Sequence, residues 1–246
     1  MINEETRKKL IDMDMSALVN ALEAQDKEIY YSSLSFEERL AAAVDVAYQV
    51  RYNDRIKSII KRAHFRYPEA SIENIYFNKR ELNKDQIMAL STNAYTNTAK
   101  NIIIQGFTGS GKTFLSNAIG KCACKVAMRV RYIRMPDLLV LLEEAELKKG
   151  RTKLIKKFSN YQLLIIDEWL MNEMSTQEIE FLFEIIEKRY LKYSTIFCTQ
   201  LKVENWHSHL GGGVHADAIM DRVIHGAITI NSGDVNMREV ESKLNK

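Results

Sequence analysis

Ile102-Ile103-Ile104-Gln105-Gly106-Phe107-Thr108-Gly109-Ser110-Gly111-Lys112-Thr113 is the stretch on which the fold turns. A short β-branched run leads into a glycine-rich turn, and a helical pattern follows. The glycines let the backbone fold tightly, so that its N–H groups point at phosphate oxygens. A helix starting near Lys112 adds the positive end of its dipole. Gly106, Phe107, Thr108, Gly109, Ser110, Gly111, Lys112 and Thr113 therefore read as a complete phosphate-binding loop. In such a loop Lys112 bridges the β- and γ-phosphates of ATP, and Thr113 gives its hydroxyl to Mg²⁺.

Downstream, Leu163-Leu164-Ile165-Ile166-Asp167-Glu168 is a buried-strand pattern ending in two acids. Acids often end strands, but this pair comes after a phosphate-binding loop. Asp167 then reads as the carboxylate for Mg²⁺, acting through water. Glu168 reads as the group that orients and polarises an attacking water. An Asp-Glu pair here implies an extra strand between the loop's strand and the acidic one. The third element of the site then lies on the next strand, Thr195-Ile196-Phe197-Cys198, whose polar end offers Gln200, or else Thr199, to the γ-phosphate or the water.

Two further apolar runs, Val130-Arg131-Tyr132-Ile133 and Ala227-Ile228-Thr229-Ile230, bring the strands to five. Short apolar strands alternating with helical stretches predict a parallel sheet covered on both faces. Before residue 98 the pattern is helical. Ser35-Phe36-Glu37-Glu38 has the form of a capping box, and the helix it opens is expected to run toward Pro68. The polar segment Ser91–Asn101 suggests a division into residues 1–95, a helical DNA- or partner-binding part, and 96–246, the ATPase.

Composition bounds the rest. The chain has 246 residues, 46% hydrophobic and 27% charged, as in an ordinary globular protein. No apolar run approaches the roughly 20 residues that span a bilayer. The polar, acid-bearing start does not look like a signal peptide, so a cytoplasmic protein is expected, with no membrane partner. Cys122, Cys124 and Cys198 form no paired framework. The net charge is only +3, yet the cations are clustered. Arg51–Arg66 holds six Lys or Arg against one acid, and Lys148–Lys157 holds six against none. Lys121, Lys125, Arg129, Arg131 and Arg134 make a third cluster. Such clusters are the footprint of an anionic polymer, and DNA is the expected partner.

With these features the chain resembles the IstB-like ATP-binding proteins, helpers of an insertion-sequence transposase related to the DnaC helicase loader and the DnaA initiator. The resemblance rests on Leu34-Ser35-Phe36-Glu37-Glu38-Arg39-Leu40, the phosphate loop and Leu164-Ile165-Ile166-Asp167-Glu168. It extends through Glu187-Lys188-Arg189-Tyr190, Trp206 and Ala218-Ile219-Met220-Asp221-Arg222-Val223-Ile224-His225. It implies an α/β fold, an AAA+ P-loop NTPase core preceded by a small helical domain. It also implies Mg²⁺-dependent ATP hydrolysis, self-assembly on duplex DNA and delivery of that DNA to a transposase. By the same resemblance Arg222 is an arginine finger acting in a neighbouring subunit's site, and Arg238 is a second sensor arginine. Two departures stand out. Gln200 replaces the family's usual Asn, and Trp169-Leu170-Met171 replaces its usual Leu-Gly-Tyr. Two other readings stay open: a helicase loader acting on single-stranded DNA, and an ATP-dependent adaptor that binds protein alone.

Overall fold

Strands form where the apolar runs predict them, in a computed structural model that describes residues 2–77, 81–233, 235–237 and 239. They are β1 (Ile102–Gln105), β2 (Val130–Arg134), β3 (Leu163–Asp167), β4 (Ser194–Thr199) and β5 (Ile228–Asn231). All pair in parallel, in the order β2-β3-β4-β1-β5. Strand β4 thus lies between the loop's strand and the acidic one. Every residue of β3 and β4 is buried, whereas the edge strands β2 and β5 are only partly covered. The near-continuous apolar runs belong to the strands covered on both faces.

The chain divides into two compact units, Met1–Ser58 and Ile59–Lys246. In the first lie α1 (Glu4–Asp12), α2 (Ser16–Gln25), the single turn α3 (Ile29–Ser32) and most of α4 (Phe36–Ala63). Asn3 caps α1 by accepting from Thr6 N at 2.7 Å. The predicted capping box opens α4: Ser35 N donates to Glu38 Oε2 at 2.8 Å, and Glu38 N donates to Ser35 Oγ at 3.3 Å. Helix α4 ends earlier than Pro68, because His64 takes a left-handed conformation (φ 56°) that no α-helix continues through. The polar segment 91–101 marks the start of the sheet, while the two units divide inside α4.

In the second unit α5 (Lys84–Ser91) precedes the sheet. Helix α6 (Lys112–Lys125) packs on one sheet face. Gly120 permits the approach: a Cβ there would stand 2.7 Å from Ile165 Cδ1 and 2.8 Å from Phe65 Cε1. The other face is covered by α7 (Met135–Leu147), α8 (Arg151–Ser159), α9 (Thr176–Arg189), the single turn α10 (Trp206–His209) and α11 (Gly213–Ile224). Their apolar stripes meet Ile103, Leu164, Ile166 and Phe197 in one core. Alternate strand residues therefore serve opposite faces, as the pleat requires. Buried Arg189 ties this layer together, donating to the carbonyls of Phe158, Tyr161 and Ser194 and to Thr195 Oγ1.

Candidate functional site

A parallel sheet gathers the C-terminal ends of its strands along one edge, where α/β proteins bind ligands. Here that edge carries Gly106 after β1, Arg134 closing β2, Asp167 closing β3 and Gln200 after β4. The phosphate loop lies between β1 and α6, as its sequence predicts. Gly106 is required by close approach: a Cβ would meet Ser232 Oγ at 2.1 Å and Ser110 Oγ at 2.8 Å. Gly111 is required by conformation, since it caps α6 with φ 82°.

Within this loop Lys112 Nζ donates to the carbonyls of Gly106 and Phe107, both at 2.8 Å. Burial draws the Lys112 ammonium pKa below the ordinary lysine value, with Cys198 and the Asp167 carboxylate opposing the shift. Thr113 Oγ1 donates to Asp167 Oδ2 at 2.7 Å, joining the two residues read as Mg²⁺ ligands. Asp167 Oδ1 accepts from Glu168 N at 2.9 Å. Gln200 reaches the loop, its Oε1 accepting from Thr108 Oγ1 at 2.7 Å. Thr199 meets the loop only through its backbone, its carbonyl accepting from Gly106 N at 3.3 Å, while its hydroxyl donates to the carbonyl of Trp169 at 3.0 Å.

Three features of this edge escape the sequence reading. Tyr132 OH donates to Asp167 Oδ2 at 2.8 Å, so two hydroxyls converge on one carboxylate oxygen. Arg134 grips Glu168 with both arms, Nε to Oε1 at 3.0 Å and Nη2 to Oε2 at 2.8 Å. Arg66 Nη1 stands 3.9 Å from the same carboxylate. In addition, a cavity of ≈ 190 Å³ opens beside the loop, with Tyr67, Ile75, Tyr76, Phe114 and Met237 among its walls. Tyr67 is fixed there by its backbone N–H, which donates to Asn117 Oδ1 at 2.9 Å. Flat apolar walls beside a phosphate cradle suit a nucleoside base. The β2–β3 register pairs Arg134 with Asp167, and a strand-end cation beside a strand-end acid is the signal that could have revealed the first clamp.

The turn after Glu168 is strained. Glu168 (φ 57°) and Leu170 (φ 56°) both take left-handed conformations around fully buried Trp169. Trp169 N donates to Cys198 O at 2.8 Å, and its ring packs edge-on against Phe197 and Trp206 at 4.7 and 5.8 Å.

Arg222 lies elsewhere. Its carbonyl accepts from Asn101 Nδ2 at 3.1 Å, just before β1 begins and hence at the opposite sheet edge from the phosphate loop. Its guanidinium pairs with Glu187 and lies over the Phe183 and Tyr190 rings at 5.5 and 5.7 Å. Arg238 lies outside the described residues.

Comparison with known proteins accords with this geometry. The model of the family "IstB-like ATP binding protein" matches residues 8–244. The chain belongs to that family. Among its relatives is a Sinorhizobium fredii protein named as an insertion sequence ATP-binding protein (y4pL), 29% identical over 97% of both chains. Another is the ATP-binding protein of insertion sequence IS232 from Bacillus thuringiensis, 30% identical over 81% of this chain and 80% of that one. Solved structures share the fold. The DnaC helicase loader superposes with a TM-score of 0.57 at 22% identity, over 68% of this chain and 98% of that one. AMPPCP-bound DnaA from Aquifex aeolicus gives 0.60 at 22% identity, over 72% of this chain and 55% of that one. This IstB-like chain thus shares the fold of the DnaA and DnaC cores. Among its described residues no helix is long and apolar enough to cross a membrane.

Proposed function

We propose that this chain is an ATP-dependent, DNA-binding ATPase that assembles on duplex DNA and assists a transposase in selecting or delivering the target. The observation that carries the reading is the convergence of Lys112, Thr113, Asp167, Glu168 and Gln200 on one sheet edge, in a chain whose relatives are named for insertion sequences.

Mg²⁺ fits the residues present. A hydroxyl and a carboxylate are hard oxygen donors, and Mg²⁺ characteristically takes one or two carboxylates together with substrate phosphates. Thr113 and Asp167 would hold it, and the bound ion would neutralise charge on the transferring phosphoryl group. The chain's own groups do the rest. Lys112 exchanges two neutral carbonyl partners for phosphate oxygens, a stronger charge-assisted bond. Gln200 keeps an amide beside the loop at Thr108. Arg134 engages both oxygens of Glu168, which fixes the carboxylate's orientation and makes it a weaker base toward water. Opening that ion pair is the step at which hydrolysis is held back or released.

Self-assembly follows from Arg222. Strand β1 alone separates it from the phosphate loop by roughly 13 Å, at about 3.3 Å per residue. As a finger it serves a neighbour's site rather than its own, so turnover depends on subunits meeting.

The test is binding to labelled duplex and single-stranded DNA of equal length, with and without ATP and Mg²⁺, across a salt series. Tight ATP-dependent duplex binding that weakens steeply with salt is the expected result. A preference for single strands would favour a helicase-loader role. Binding to neither would remove DNA from the function and leave an ATP-dependent adaptor.

A further inference from the structure

The three basic clusters of the sequence fare differently once folded. Lys121 Nζ is used on the Pro68 carbonyl at 2.7 Å, and Arg134 and Arg66 face Glu168. In the run 148–157, Arg151 is a structural tie, pairing with Glu146 at 3.1 Å and Glu184 at 2.8 Å. Lys148 stands 3.8 Å from Glu144. What remains is exposed Lys149, in the turn before α8, together with Lys153, Lys156 and Lys157, exposed on one face of α8 at spacings of three and four, while Ile155 and Phe158 bury the other. Exposed Arg129, just before β2, joins the three α8 lysines around a groove of ≈ 360 Å³ completed by Asn160 and Tyr161.

Neither Arg129 nor any of the three α8 lysines has an acidic partner among the described residues. Arg129 is aimed by a hydrogen bond from Nη2 to Asn160 O at 3.1 Å. Arg131, on the edge strand β2, lines a separate cavity with His64 and Arg134 and is not one of the groove's cations. The groove sits at the start of β2, away from the strand ends that carry the nucleotide site.

We propose that this groove between α8 and the start of β2 is the surface that grips the phosphodiester backbone, with Lys153, Lys156, Lys157 and Arg129 as its contacts. The proposal rests on the nucleic-acid reading above and narrows it: Lys148, Lys149 and Arg151 of the run lie outside the groove, and Arg151 is tied to Glu146 and Glu184. Lysines on a helix face carry no base-reading geometry, so the grip is independent of sequence.

The test compares the full-length chain, the triple variant Lys153→Gln, Lys156→Gln, Lys157→Gln, and a charge-matched triple variant Lys84→Gln, Lys188→Gln, Lys202→Gln made at exposed positions on other elements. Binding of labelled duplex and of single strands is measured with ATP and Mg²⁺ at several salt concentrations, and binding of a fluorescent ATP analogue confirms that each variant is folded. Loss of three contacts lowers the slope of log affinity against log salt by about 2.7 on duplex, and costs on the order of a hundredfold in affinity near physiological salt. The charge-matched variant should keep the parent slope. Equal losses in both variants, or no loss in the groove variant, overturn the groove while DNA binding itself stands. Failure of the unaltered chain to bind either nucleic acid overturns the underlying reading together with the groove.

Discussion

At Asp167 two hydroxyls meet a single carboxylate oxygen. Under the proposed function Thr113 binds a metal and turns away from Asp167 when it does so, whereas the Tyr132 hydroxyl makes no other hydrogen bond among the described residues. On that reading the tyrosine is the donor that keeps Asp167 oriented when Thr113 leaves. Tyr132→Phe should raise the Mg²⁺ concentration needed for tight nucleotide binding by about 10-fold, the lower end for lost support of a metal ligand. Its Mg²⁺-free nucleotide affinity should stay unchanged. A Mg²⁺ titration of fluorescent-nucleotide binding decides it, and loss of affinity in the absence of metal would assign Tyr132 to packing instead. Arg134 gives a second expectation. With the clamp on Glu168 removed, Arg134→Ala should raise ATP turnover measured without DNA and shrink whatever stimulation DNA provides. Unchanged turnover in both conditions would show that the pair does not restrain Glu168. The gathering of Lys112, Asp167 and Glu168 at one sheet edge was legible because each is written in a local motif. Tyr132 and Arg134 were not, because their partners come from a parallel pairing across more than thirty residues of intervening chain.

The turn between β3 and α9 shows how an element can bend a rule of its sequence. Leu170 sits where the family usually has glycine, and it keeps the left-handed backbone that glycine would take freely. What compensates is burial: Leu170 is fully enclosed and lies within the core under α7 and α9. Truncating it to Ala removes that burial and keeps the strain, and truncating it to Gly removes both. Both variants should be destabilised, by about 2–5 kcal/mol for Leu→Ala. Leu170→Gly should nevertheless be the more stable of the two by about 1 kcal/mol, reversing the usual order of Ala over Gly. Denaturant midpoints measure this directly, and Ala above Gly would mean that the turn rearranges on truncation. Strand positions were readable to within a residue, because buried parallel strands leave continuous apolar runs. The end of α4 was not, since a left-handed His64 has no composition signal, whereas Pro68 advertises a stop.

For the whole molecule the separation of Arg222 from the phosphate loop has a consequence that mixing reveals. A Lys112→Ala chain lacks a working loop but keeps its finger, and an Arg222→Ala chain has the reverse. Each alone should fall to about a thousandth of the parent ATPase rate or below. Mixed together they should regain a measurable fraction, because some interfaces then join an intact loop to an intact arginine. No recovery, or full activity of Arg222→Ala alone, would end the finger assignment. Folding also sorted the basic clusters: composition counted cations, but only the fold shows which have acids or carbonyls within reach. Likewise the base-sized cavity beside the loop, walled by Tyr67, Ile75 and Tyr76, comes from a stretch without any motif.

The tryptophan cluster behind Glu168 gives the protein an optical property. The chain has two tryptophans, Trp169 and Trp206, both fully buried and 5.8 Å apart. All indole emission therefore arises from one spot, next in sequence to the residue proposed to activate water, and none arises from residues 1–58. A stopped-flow fluorescence trace after mixing with ATP would time any movement of that turn without a label and without interference from the N-terminal helices.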